Sequence, residues 1–145
     1  MKNKKKMIEW ITDDEVQTQP AFLVVVRQQH DTEETADALM VELQQLCESI
    51  DLDVAGGQVV KLRQPNARLF IGKGKAEEIG EICRDLGIEV IVFDAELSPY
   101  QQRNWETLTG LIVIDRSQVI IDIFADRAVT MEARLQVRLA SLRYS

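Results

Sequence analysis

The stretch that decides the fold is Arg68-Leu69-Phe70-Ile71-Gly72-Lys73-Gly74-Lys75-Ala76-Glu77-Glu78-Ile79. Its apolar start, paired glycines and helical continuation predict a short strand, a tight turn and a helix N-terminus. Glycine permits the positive φ values that such a turn needs, and the first N–H groups of a helix can bind an anion. We therefore take Gly72, Lys73, Gly74 and Lys75 as a candidate phosphate contact. The alternative is a structural turn whose lysines are merely solvated.

Four apolar segments of strand length lie around this stretch, and amphipathic helical patterns separate them. The segments are residues 21–26, 54–60, 88–93 and 111–114. Continuous apolar strands alternating with helices predict an α/β fold with a mainly parallel sheet of four to five strands flanked by helices. The fifth strand would be residues 69–71, paired antiparallel with the strand before it.

Local signals predict where the helices begin and end. Asp31 with Glu34 resembles a capping box, and Ser98 precedes a proline suited to a first helical turn. Gly87 and Gly110 are expected to end their helices. Gly56-Gly57 interrupts the second strand and predicts a bulge or bend.

The chain is expected to have three parts: a flexible N-terminal arm at residues 1–19, an α/β domain at residues 20–116 and a helical segment at residues 117–145. In the last part, Ser117 and Thr130 are expected to cap two successive helices. No glycine or proline stops the second one before Ser145, so we expect an incomplete helical subdomain.

Composition limits the classes of function. The chain of 145 residues has 46% hydrophobic residues and a net charge of −7, which excludes a disordered chain and a protein that coats nucleic acid indiscriminately. No signal peptide or membrane span is recognisable, so we expect a cytoplasmic protein with no membrane and no DNA among its partners. Cys47 and Cys83 fall on apolar helical stripes, as buried free thiols of a reducing compartment do.

The charges are nevertheless segregated along the chain. Residues 31–57 hold eight acids and no Lys or Arg, whereas residues 58–75 hold five bases and no acid. Arg134 and Arg138 are four residues apart and would share one helix face. These two arginines are candidates for RNA contact, with a solvated face as the alternative.

Asp94 and Asp115 follow the third and fourth predicted strands, where ligands of parallel sheets usually bind. They could form a cation or ligand edge, although acids at such positions more often cap turns. His30 has no second ligand nearby in sequence, so we predict no metal centre. The glycine–lysine stretch is not a P-loop, and Glu77 stands where a dinucleotide fingerprint needs its third glycine. No catalytic residues are assigned, and the chain on its own is not expected to be an enzyme.

Three stretches resemble the N-terminal region of the HflX family of ribosome-associated GTPases. Residues 70–79 are similar to the family's Y-I-G-K-G-K-x-E-E-I, and residues 93–104 to F-D-x-E-L-S-P-x-Q-Q-R-N. Residues 113–116, 121–125 and 135–137 are similar to V-I-D-R, L-D-I-F-A and L-Q-V. Arg138 stands where the family commonly has an acid.

This resemblance implies an α/β domain followed by a helical hairpin and then a GTPase domain, and the motifs of the GTPase domain are not found in this sequence. It implies docking on the large ribosomal subunit through rRNA. GTP and Mg²⁺ would be cofactors only of a full-length member, and a GTPase domain supplied elsewhere is a further expected partner. The leading hypothesis is thus a non-catalytic ribosome-binding domain. The alternatives are an ATP- or GTP-binding domain and a protein-interaction module that uses the uncovered last helix.

Overall fold

The computed structural model describes residues 18–144 of the chain, and most of the predicted arm lies outside them. Four strands alternate with four helices along the sequence. In chain order these are β1 (Gln19–Gln28), α1 (Glu33–Glu48), β2 (Leu52–Leu62), α2 (Lys73–Leu86), β3 (Val90–Asp94), α3 (Pro99–Thr109), β4 (Ile112–Asp115) and α4 (Arg116–Tyr144). Within the described residues, no helix is long and apolar enough to cross a bilayer.

The four strands form one sheet in the order β2-β1-β3-β4, and every neighbouring pair is parallel. The prediction of an α/β fold with a parallel sheet is therefore confirmed. The proposed fifth strand is wrong, because residues 69–71 form no ladder and only Asn66 and Phe70 make an isolated bridge. Phe70 adopts a φ of 69°, which lies in the left-handed region and cannot continue a strand.

The sheet is covered on both faces, which explains the apolar runs in its central strands. Alternate residues of β1 and β3 point to opposite sides. Phe22 and Ile91 join the core beneath α2 and α3. Leu23 and Val92 join a second core, which contains residues of α1 and α4. The chain is thus a three-layer structure with two hydrophobic cores, and loops join its elements at both sheet edges.

The predicted irregularity at Gly56-Gly57 is confirmed as a bulge in β2. Ala21 pairs with Val54 but Phe22 pairs with Gly56, so one residue of β2 is extra. A Cβ atom at Gly56 would lie 3.2 Å from the ring of Phe22. The bulge therefore brings backbone and core side chains closer than a larger residue would comfortably permit.

The helix signals between residues 31 and 110 are confirmed with one exception, whereas Ser117 and Thr130 lie inside one helix and cap none. Ser98 caps α3 through a reciprocal capping box with Gln101, and Gly87 and Gly110 end their helices with left-handed φ values of 68° and 72°. Asp31 is not the cap of α1. Its carboxylate instead accepts from the Gln28 N–H at 2.9 Å, which closes the preceding turn, and Thr32 caps the helix.

α4 is one continuous helix of 29 residues, so the prediction of two capped helices in this segment is wrong. The Thr130 hydroxyl donates to the Asp126 carbonyl oxygen one turn earlier, a bond compatible with a helix interior. Only the first turns of α4 pack on the sheet, with Val119 fully buried. Beyond Ile123 the side chains from Phe124 to Leu142 are exposed.

α4 passes the edge of the sheet at which the strands begin. Asp122 and Asp126 line a groove there together with the first residues of the strands, such as Leu52 and Val90. At 1.5 Å per residue the helix is about 43 Å long, so its second half projects beyond the sheet.

Candidate nucleic-acid interface

The carboxyl edge of the sheet, where the four strands end, collects most of the residues singled out from the sequence. Helices that connect parallel strands run back antiparallel to them, so they begin at this edge. β2 ends at Leu62 and α2 begins at Lys73, which places the intervening loop and the Gly72–Lys75 turn there. Asp94 and Asp115 end β3 and β4 at the same edge.

The glycine–lysine turn is open, and its glycines are not required by backbone geometry. Gly72 is the N-cap of α2 with φ −61° and ψ 149°, so the expectation of a positive φ at these glycines is wrong. A Cβ atom at Gly72 or Gly74 would meet nothing within 4 Å. The left-handed residue of the turn is instead Phe70.

The first N–H groups of α2 are not used inside the helix. The first intrahelical bond runs from the Ala76 N–H to the Gly72 carbonyl oxygen at 3.0 Å, and the Gly72 N-cap has no side chain to cap the turn. Lys73 is exposed, whereas the Lys75 ammonium lies 3.3 Å from Glu78. This end of α2 can therefore present backbone donors and one unpaired lysine to an anion.

Side chains of α3 hold the loop that precedes the turn. The Trp105 indole N–H donates to the Leu69 carbonyl oxygen at 2.6 Å, and the Asn104 amide donates to that of Arg68 at 3.0 Å. Gln101 reaches the carbonyl oxygen of Asn66 at 3.0 Å. α3, which contains part of the second motif stretch, thus binds the loop just before the first stretch and positions it.

The β3–β4 half of the edge is acidic, and its acids are already bonded. Asp115 accepts from the N–H groups of Leu97 at 3.2 Å and Gln118 at 3.0 Å. Asp94 accepts from Arg116 at 3.2 Å, and Arg116 also pairs with Glu42 of α1. Burial alone would lower the pKa of Arg116, but the hydrogen bonds that it donates to the Glu42 and Asp94 carboxylates, together with their negative charges, outweigh burial and raise that pKa. Among residues 18–144, no three metal-ligating side chains converge on one point.

The β1–β2 half of the edge is basic, and most of it was missed from the sequence. A groove of about 390 Å³ lies there, lined by Arg27, Gln28, Gln29, Lys61, Leu62 and Arg63. Two of these cations, Lys61 and Arg63, lie in the base-rich segment 58–75 that the sequence had already indicated. Arg27 joins them only because parallel register sets it beside Lys61, which sequence spacing does not reveal.

The other residues singled out from the sequence belong neither to the glycine–lysine turn nor to the basic groove. Arg134 and Arg138 are exposed on the projecting part of α4, about 27 and 33 Å along the helix axis from Arg116. His30 is exposed beside Asp31 at 3.6 Å. Burial raises the pKa of the Cys47 and Cys83 thiols to about 11, with the charge of Glu48 adding to the effect at Cys47.

Comparison with known proteins agrees with the motifs. A family model described as GTP-binding GTPase N-terminal matches residues 37–125. The GTPase HflX of Akkermansia muciniphila is 45% identical over 108 residues, which are 74% of this chain and 25% of that protein. The GTPase HflX of Escherichia coli is 50% identical over 82 residues, which are 57% of this chain and 19% of that protein.

A solved structure has the same fold. A GTP-binding protein of the archaeon Sulfolobus solfataricus in complex with GDP is 27% identical with a TM-score of 0.53, covering 88% of this chain and 37% of that one. The chain spans about a quarter of the length of the curated relatives it matches. The resemblance seen in the three motif stretches is confirmed: the chain belongs to the HflX family of GTPases and corresponds to its GTP-binding GTPase N-terminal region.

Proposed function

We propose that this chain is a non-catalytic ribosome-binding module of an HflX-type GTPase and that it docks on rRNA of the large ribosomal subunit. The observation that carries this proposal is the open glycine–lysine turn at the carboxyl edge. Its free N–H groups and its lysines suit a phosphate, and phosphate contacts position a protein on RNA without reading its sequence.

The rigid mounting of the turn supports a role in binding. Three α3 side chains fix the loop at Asn66, Arg68 and Leu69, so little conformational freedom is lost when a partner arrives. Among the described residues, no atom outside the adjoining backbone lies within 4 Å of a Cβ at Gly72 or Gly74, which leaves room for a backbone to approach closely.

The size of the partner follows from the position of the arginines. Arg134 and Arg138 lie about 27 and 33 Å along α4 from Arg116, which is at the same edge as Lys73 and Lys75. If both sets bind one partner, that partner is larger than a small ligand. A ribosomal subunit is large enough, and in this proposal it engages the module in the cytoplasm.

Hydrolysis of GTP belongs, in this proposal, to a GTPase domain outside these 145 residues. The relatives are named GTPases, yet the matched residues are about a quarter of their length. GTP and Mg²⁺ are therefore assigned to the full-length relatives or to a GTPase domain supplied by another chain.

Co-sedimentation with purified large subunits over a salt series tests the proposal. We expect binding that weakens steeply with salt, because each phosphate contact releases counterions. Lys73→Gln/Lys75→Gln should weaken binding and make the salt dependence shallower. Arg84→Gln/Arg103→Gln removes the same amount of charge from other exposed sites on α2 and α3. This control should change neither the binding nor its salt dependence by much. Absence of co-sedimentation even at low salt would exclude the proposal.

A nucleotide-binding domain is the second candidate, favoured by the uncapped start of α2. Its phosphates would lie at Gly72–Lys75 with a cation near Asp94, although Asp94 now pairs with Arg116. A thermal shift with ATP or GTP and Mg²⁺ distinguishes the two, since ligand at a hundred times its Kd adds ~2.7 kcal/mol of stability. No shift at millimolar nucleotide would reject this candidate.

A protein-interaction module is the third candidate, favoured by the apolar side chains on the projecting half of α4. The exposed side chains there include Leu135, Leu139 and Leu142. A monomeric chain in sedimentation equilibrium, with rapid amide exchange in this half of α4, would remove its support.

A further inference from the structure

The groove over β1 and β2 is a second cationic surface, separate from the glycine–lysine turn. We call the surface of Arg27, Lys61 and Arg63 the β1–β2 groove; Gln28, Gln29 and Leu62 complete its lining. It lies where two parallel strands end, which is the edge at which open α/β sheets usually bind ligands.

The three cations lie together where β1 and β2 end. Arg27 and Lys61 are register partners, and Leu23, four residues before Arg27, belongs to the core that α1 contributes to, so these two cations lie on the α1 face. Neighbouring strands are about 4.8 Å apart, so the two positive charges lie close together. Arg63 follows the last residue of β2 and lines the same groove, which completes the array of three charges.

Among the described residues, no carboxylate forms a salt bridge with this array, whereas Arg116 pairs with two carboxylates at the other half of the edge. The Asp31 carboxylate contacts the lining of the groove, but it accepts from the Gln28 N–H at 2.9 Å and not from a cation of the array. The Arg27 Nε donates to the Asp31 carbonyl oxygen at 3.1 Å, which fixes the direction of its guanidinium group. Like charges held together without counterions favour an anion as their partner.

The lining indicates which anion fits. A site for a free nucleotide is usually enclosed and lined by apolar or aromatic side chains, and bases stack on aromatic rings. Among the described residues, the β1–β2 groove has a single apolar lining residue, Leu62, and no aromatic one. Charge without a stacking surface suits a sugar–phosphate chain, whose sugars Gln28 and Gln29 could also contact.

We propose that the β1–β2 groove binds the phosphodiester backbone of RNA. This inference rests on the proposed function and deepens it, because it adds a contact on the α1 face to the one at the start of α2. An RNA strand lying along the carboxyl edge would then contact the module on both faces of its sheet, without selecting particular bases.

Fluorescence anisotropy with a labelled uridine oligonucleotide tests the groove independently of the ribosome. The test variant is Arg27→Gln/Lys61→Gln/Arg63→Gln, and Lys61→Gln/Arg63→Gln serves if the triple variant folds poorly, since both of its side chains are exposed. The control is Arg84→Gln/Arg103→Gln/Arg127→Gln, which removes three exposed charges elsewhere. Circular dichroism verifies the fold of each variant.

We expect the triple variant to lose about tenfold or more in affinity at low salt, and the slope of log affinity against log salt to become shallower by about 2. The double variant should lose part of this, and the control variant should stay close to the original chain. Equal losses in test and control variants, or no binding of the oligonucleotide by the original chain, would overturn the inference. Tighter binding of inorganic triphosphate than of the oligonucleotide would also overturn the inference.

Co-sedimentation separates this inference from the proposed function. If the original chain binds large subunits and the triple variant binds them and the oligonucleotide equally well, the groove is not a contact and the proposed function stands. If the groove binds the oligonucleotide but the chain never co-sediments with large subunits, the groove stands as an RNA site and the proposed function fails.

Discussion

Trp105 is the residue that joins the interior of α3 to the loop before the glycine–lysine turn. Its ring is fully buried and meets Phe93 edge to face at a centroid distance of 4.8 Å, while its N–H binds the loop carbonyl of Leu69. A buried tryptophan needs a partner for its N–H, and a buried carbonyl needs a donor, so each satisfies the other.

Replacing this tryptophan should loosen the loop. Trp105→Phe keeps an aromatic ring but leaves the Leu69 carbonyl oxygen without its donor, so we expect a loss of about 1–3 kcal/mol in the free energy of unfolding. Urea denaturation measures it. Asn104→Ala is the matched control, because the carbonyl oxygen of Arg68 lies in a more exposed place and can bind water. An equal or larger loss in Asn104→Ala would contradict this account.

The buried thiols predict a dependence on alkaline pH. Burial raises the pKa of Cys47 and Cys83 from 9.0 to about 11, so the unfolded chain deprotonates first. Their contribution to stability is complete below pH 9 and is lost as the pH rises towards 11, at up to about 1.4 kcal/mol per pH unit for each thiol. In urea denaturation, Cys47→Ala/Cys83→Ala should lose less stability across that window than the original chain. Parallel pH curves would refute the assignment.

At the scale of secondary-structure elements, the glycines of α2 and of its C-terminal cap differ in whether the backbone conformation requires them. Gly87 has a φ of 68° at the end of α2, where a side chain would be strained, whereas Gly74 is helical and surrounded by open space. Gly74→Ala should therefore raise the free energy of unfolding by about 0.5–1 kcal/mol, because alanine loses less backbone entropy. Gly87→Ala should lower it by about 1–2 kcal/mol. Thermal denaturation of the two variants checks these opposite signs, and a destabilised Gly74→Ala chain would show that the turn needs its glycine for folding.

The elements were more predictable than the contacts between them. Apolar runs and caps identified all four strands and the helices between them, because burial and capping are local properties of sequence. The prediction of a strand at residues 69–71 failed because Phe70 is left-handed there, in a loop held by a local bond from the Leu69 N–H to the Asn66 side chain and by Trp105, which is distant in sequence. Thr130 resembled a cap because a helix interior can use the same hydroxyl differently. Arg27 was overlooked because only strand register places it beside Lys61.

At the scale of the whole molecule, α4 divides into a packed and a projecting part. Val119 is fully buried, whereas Phe124 is 64% and Leu135 53% exposed. Amide hydrogen exchange should therefore be slow in residues 119–123 and fast in residues 127–140, because few tertiary contacts restrain the latter. Uniform protection along α4 would contradict this division.

Shortened chains test the same division by stability. A chain ending at Ala125 should unfold at nearly the original temperature, because it keeps Val119 and the Arg116 contacts. A chain ending at Asp115 loses them and should be several kcal/mol less stable, since each buried aliphatic side chain contributes about 1.5–3 kcal/mol. Differential scanning calorimetry compares the two.

The pairing of Arg116 with Asp94 and Glu42 has a mechanical consequence. These carboxylates belong to β3 and α1, so they brace the base of α4 from two directions. Because the far end of the helix lies about 30 Å beyond its last packed turn, a bend of about 10° at that turn would move the far end by about 5 Å. With its base held by the ion pairs and by Val119, α4 resembles a beam clamped at one end, so any bending displaces its far end most.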